Sequence, residues 1–135
     1  MYSIEKTRYG FKIVFESFIE SEEMRNWVKD SEKALSSMRG AFGVLVDARE
    51  LEPLPLDSQT ILKKGQILYN LKGMERTAVI YGNVSIKSYF VNTAHKSAMF
   101  ETKRFINATE NPKWEEAALS WIIDSVEPSV GIMRE

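Results

Sequence analysis

Residues 42–48, FGVLVDA, are apolar without interruption as far as Asp47. A strand wetted on one face alternates apolar and polar side chains, and this one does not, so it belongs inside a sheet covered on both faces. The chain has 135 residues, enough for one ordinary core and too few for a second. The cover must therefore come from helices of this chain, and the segments around residues 42–48 have the period to form them.

MYSIEKTRYGFKIVFES alternates through Tyr2, Ile4, Phe11, Ile13 and Phe15, with Tyr9 and Gly10 at the reversal, which predicts a hairpin with one wet face. Ser21, Glu22 and Glu23 place a cap and two acids where a helix N-terminus favours them. Met24, Trp27, Val28, Ser31, Leu35 and Met38 then share one face, and Arg39-Gly40 closes a helix ending near Met38. A second helix is predicted over residues 58–71, striped by Ile61, Leu62, Gly65, Leu68 and Tyr69 and ended by Lys72-Gly73. RTAVIYG, 76–82, is a short strand, and the stripe from Ile86 through Tyr89, Phe90, Thr93, Ala94 and Ser97 to Phe100 is a third helix. TKRFINA is a last strand; Asn111 and Pro112 open a fourth helix carrying Trp114, Ala117, Ala118, Trp121, Ile122 and Ser125 up to Pro128.

The order ββαβαβαβα predicts an α/β fold: a mixed sheet with an N-terminal hairpin, right-handed crossovers, and helices on both sides of at least part of it. Residues 1–127 are expected to form one domain and 128–135 a tail.

With 18 basic and 19 acidic side chains and a net charge of −1, no long-range field gathers nucleic acid or anionic lipid. The absence of Cys removes disulfides and thiolate chemistry and fits a reducing cytoplasm. No segment predicts a signal peptide or membrane insertion.

Asp47 and Arg49 stand at the carboxyl end of the central strand, where open α/β sheets place ligands; the competing role for Asp47 is to accept backbone N–H bonds and pair with Arg49. After a loop with Pro53 and Pro55, Asp57-Ser58 opens the second helix. It is either a cap or a phosphorylation site whose added charge the helix N-terminus would stabilise, and capping is the commoner use.

This strand-end acid, loop and helix-opening serine, with the element order and the later segments RTAVIYG and ETKRFINATENPKWEEAALSWI, resemble the SpoIIAA-like superfamily, which includes the STAS domains of anti-sigma-factor antagonists. The resemblance runs over roughly residues 40–123. It implies a single SpoIIAA-like, STAS-like domain in which Asp47, Asp57 and Ser58 form one surface bound by a partner kinase. Departures are the longer loop with Pro53 and Pro55, and Gln59-Thr60 where the pattern has a second serine and a glycine.

Other features have plainer readings. His95, the sole histidine, has no ligand or catalytic companion at helical spacing. No phosphate-cradling glycine loop occurs, and Gly65 in mid-helix predicts close packing. Lys63, Lys64, Lys72 and Arg76, and the pair Lys103-Arg104, are expected to be solvated. Trp27, Trp114 and Trp121 are expected in the core; if part of the Trp114–Trp121 or Tyr89–Phe90 face stayed open, a homodimer would cover it.

No catalytic, cofactor-binding or metal-ligating residue is assigned. The expected function is that of a non-enzymatic regulatory or protein-interaction module, recognising a protein partner through Asp47, Arg49, Asp57 and Ser58. Binding of a small apolar or lipid-like ligand is the alternative, and a small enzyme using Asp47, Arg49 or His95 is the third reading.

Overall fold

A computed structural model describes residues 1–94 and 102–128. His95, the end of the third stripe from Ser97 to Phe100, and the expected tail from residue 129 onward lie outside the described residues. The elements follow the expected order: β1 (Tyr2–Lys6), β2 (Gly10–Ser17), α1 (Ser21–Leu35), β3 (Phe42–Leu51), α2 (Leu56–Leu71), β4 (Met74–Tyr81), α3 (Val84–Ala94), β5 (Lys103–Asn107) and α4 (Trp114–Asp124). No described helix is long and apolar enough to cross a membrane.

The sheet runs β1-β2-β3-β4-β5, with β1 antiparallel to β2 and every later pair parallel. Each crossover therefore steps to the next strand in the same direction, and right-handed connections then put α1, α2 and α3 on one face. The alternation along β3 shows this: Phe42, Val44, Val46 and Ala48 pack with Trp27, Leu62 and Phe90, whereas Leu45 packs with Ala118, Trp121 and Ile122 of α4 on the other face. With α4 the only described helix on that side, the hairpin keeps the wet face its alternation predicted; Ser3 and Glu5 are exposed and Lys12, Val14 and Glu16 half-buried. Because the strand order never reverses, the sheet has no switch-point crevice of the kind that holds ligands in doubly wound folds.

Several boundaries differ from expectation; α4, for one, opens at Trp114 with Lys113 at its N-cap, not at Asn111-Pro112, and ends at Asp124. Helix α1 stops at Leu35, where Ser36 Oγ and N both turn back to the Lys33 carbonyl. Strand β3 runs on to Leu51 through a bulge: Val14 pairs with Asp47 but Glu16 pairs with Glu50, so β3 carries one extra residue. The bulge reverses the alternation, and Leu51 returns to the core beneath α1–α3. Helix α2 begins at Leu56 with Pro55 at its N-cap, placing Asp57 and Ser58 inside the first turn.

The close packing expected at Gly65 is against α1: a Cβ there would stand 2.0 Å from the Trp27 ring. The missing side chain lets Trp27 lie flat against Tyr69 at 5.8 Å, with Phe15 edge-on to it. Trp27, Phe90 and Trp121 are buried within the chain, whereas Trp114, expected in the core, and Tyr89 are half-buried.

Candidate functional site

The β3 carboxylate at position 47 faces the α4 side and is 5% exposed. Two residues on along the same face, Arg49 donates three hydrogen bonds to it: Nε to Oδ1 at 2.9 Å, Nη2 to Oδ2 at 2.9 Å, and its backbone N to Oδ1 at 3.2 Å. The guanidinium also lies over the Trp114 ring at 4.3 Å. These bonds raise Arg49 above its ordinary pKa, with burial opposing. The pairing considered for Asp47 and Arg49 is thus made, and it presents a fixed, partly exposed cation rather than a mobile one.

Beyond β3 the loop is tied at several points. Glu52 N donates to Ser17 O at 3.0 Å, Leu54 N donates to the Tyr89 hydroxyl at 3.1 Å, and Gln59 Nε2 donates to Leu54 O at 2.9 Å. Leu54 is buried, and Pro55 holds the extended conformation that opens α2.

Asp57 accepts Ser58 N at 2.9 Å and is exposed. Ser58 is 0% exposed, and its Oγ donates to Ile19 O at 2.9 Å, under the α1–α3 layer. The structure therefore brings Asp47 and Arg49 together on the α4 face and Asp57 with Ser58 at the start of α2, with the sheet between the two pairs. Asp47 and Ser58 are both buried and do not meet as the resemblance implies, which leaves Arg49 and Asp57 as the exposed members of the set; no phosphoryl donor reaches the Ser58 hydroxyl unless the start of α2 moves. Ser58→Asp is expected to lower stability by about 2 kcal/mol or more, since it buries a carboxylate against a carbonyl oxygen. A denaturation midpoint equal to that of the parent would contradict this packing.

Two features escaped the sequence reading. The first is a row of exposed apolar side chains where β2, β3 and β4 give way to the next helices: Phe18 at 49%, Leu56 at 80% and Val84 at 69% exposed. The parallel topology puts all three on the carboxyl edge of the sheet. Ser17, at φ 61, makes the turn that leaves Phe18 outside and Ile19 fully buried. Exposed Glu20, Glu22, Glu50, Glu52 and Asp57 flank Phe18 and Leu56 along the chain, and the first turn of α3 at Val84 carries no acid. Glu20, Glu22 and Asp57 stand at helix N-termini, which favour acids, but nothing in the local period requires apolar residues to join them.

The second is Lys103, expected to be solvated and instead 4% exposed. Alternation along β5 turns Lys103 and Phe105 toward α1–α3 and Ile106 toward α4, a signal present in TKRFINA. Its Nζ donates to Gln66 Oε1 at 3.0 Å, and burial pushes its pKa down to about 8. Lys103 and Gln66 border an apolar cavity of about 20 Å³ between the sheet and the helices, lined also by Phe15, Trp27, Leu62 and Phe90. That is room for about one water; a lipid-like ligand fits only if the helices part.

The sheet order, the hairpin and the three-and-one division of helices define a SpoIIAA-like fold. A solved structure with the same architecture belongs to an uncharacterised protein of the DUF3478 family, with a SpoIIAA-like fold, from Shewanella loihica PV-4. The similarity has a TM-score of 0.60 at 20% identity and covers 90% of this chain and 92% of that one. No family model and no curated protein matches the sequence.

Proposed function

We propose that this protein is a regulatory module that docks a protein partner on the carboxyl edge of its sheet, with the loop from Asp47 to Ser58 at the centre of contact. The observation that carries this reading is the exposed set Phe18, Leu56 and Val84 on one sheet edge, with exposed acids flanking the first two, on a face whose backbone is otherwise well tied. Apolar side chains grouped with this much exposure mark interaction sites more often than plain surface. The acids select a partner with basic residues beside an apolar patch. Arg49, fixed by Asp47 and Trp114, supplies an oriented donor for one acceptor on that partner. Ser58 contributes through packing, and recognition in this form needs no phosphorylation.

Leu56→Asp touches the edge without disturbing the core, whereas Arg49→Ala also strips the buried Asp47 carboxylate of its ion partner and lowers stability. Each is expected to weaken partner capture about tenfold or more, the size of loss seen when a central anchor is removed, and Leu56→Asp does so with the denaturation midpoint nearly unchanged. Titration of the immobilised variants against the captured partner measures this, and parental affinity in both would remove the loop from recognition.

A further inference from the structure

We propose that the buried Lys103 side chain regulates the 47–58 loop as a charge-dependent latch, acting through Gln66 and Tyr89. The inference rests on the reading of that loop as the recognition surface for its biological consequence, but not for its mechanism.

A continuous set of contacts joins the two. Lys103 Nζ on β5 donates to Gln66 Oε1 on α2 at 3.0 Å, Gln66 Nε2 donates to Tyr89 O on α3 at 3.4 Å, and the Tyr89 hydroxyl accepts Leu54 N of the loop at 3.1 Å. An ammonium can only donate, so it fixes the amide with Oε1 toward Lys103 and Nε2 toward the α3 carbonyl. A neutral amine carries a lone pair and tolerates either orientation of the amide, while its own bond to Gln66 loses the strengthening that charge provides. The reversed amide would set oxygen against the Tyr89 carbonyl and release α3 from α2. Charge on Lys103 thus holds the orientation that seats Tyr89 under Leu54.

The surroundings leave Lys103 as the group that titrates. Around the cavity, β2, α1, β3, α2, β4 and α3 contribute apolar side chains, the Gln66 amide and Thr77; Tyr69 is the one titratable side chain among them, and its hydroxyl is engaged with Ser31 at 2.7 Å. Among the described residues no carboxylate forms an ion pair with Lys103. A buried cation kept without an acid costs stability, and control of the loop is a reason to keep it. Its pKa of about 8 places loss of the proton close to neutral pH.

Amide exchange by NMR at pH 7 tests the latch with Lys103→Met, which removes the charge and keeps the apolar stem. Protection at Leu54 is expected to fall about tenfold, the scale of one weakened hydrogen bond, while Val46 in the central strand stays equally or better protected. Tyr89→Phe, which deletes only the hydroxyl, should lower Leu54 protection with Lys103 intact. Unchanged protection at Leu54 in Lys103→Met, or an equal fall at Leu54 and Val46, would overturn the latch. Partner capture is read separately: a loosened Leu54 with parental capture supports the latch and overturns the recognition reading instead.

Discussion

Resistance to urea is expected to increase as pH is raised from 8 toward 10, and the increase to be absent in Lys103→Met. The pKa of Lys103 falls from 10.5 to about 8 in the folded protein because burial penalises its charge. Below pH 8 both folded and unfolded chains hold the proton, so the penalty is present in full and stability does not vary with pH on this account. Between 8 and 10.5 the unfolded chain holds the proton and the folded one releases it, so stability rises with pH, by about 3 kcal/mol over the whole window. Tyr69 acts in the opposite sense above this range. Burial pushes its pKa up to about 12 from 10.0, so the unfolded chain ionises first and stability declines from pH 10 to 12. Urea unfolding across pH 7–12 should therefore show a maximum near pH 10. A flat profile between 8 and 10 in the parent would mean that Lys103 is solvated.

Gly10→Ala should be the most damaging of the small substitutions, with a loss of about 3 kcal/mol or more, or failure to fold. Gly10 has φ +149, and a Cβ on it would stand 2.0 Å from the carbonyl oxygen of Gly43. That oxygen belongs to the backbone of the central strand directly opposite in the β2–β3 register, so it cannot turn aside as a side chain could. The hairpin and the parallel core meet at this point: Gly10 N donates to Thr7 Oγ1, and Gly43 N donates to Tyr9 O at 2.8 Å. Relief would require parting β2 from β3. Denaturation midpoints of Gly10→Ala beside the parent measure the loss, and a difference below about 1 kcal/mol, the level of ordinary glycine-to-alanine effects, would contradict this geometry.

The fold was legible because each element signals itself locally. Strand and helix periods alternate along the chain, and the unbroken run FGVLVDA locates the strand that must lie inside. What was lost is what depends on distant residues. The extension of β3 to Leu51 follows from a bulge against β2, which no period within β3 records. Ser58 carries the sequence mark of a helix start, but its burial is decided by Ile19 O, 39 residues away. The Asp47–Arg49 pair was legible because two residues on one strand face are neighbours by geometry. Lys103 was misread because a charged pair suggests solvent, although the alternation Lys103, Phe105 pointed inward. The exposed row Phe18, Leu56 and Val84 joins three separate connections, and only the strand order reveals that they share an edge.

The central claim, that the carboxyl edge of the sheet is where a partner protein docks, is tested most directly by site-placed photo-crosslinking in the source cells. A crosslinking side chain at position 56 should capture one defined protein, the same side chain at Arg39 on the opposite edge should not, and Arg49→Ala should weaken the adduct. No adduct from position 56, or equal capture from both edges, would contradict the account.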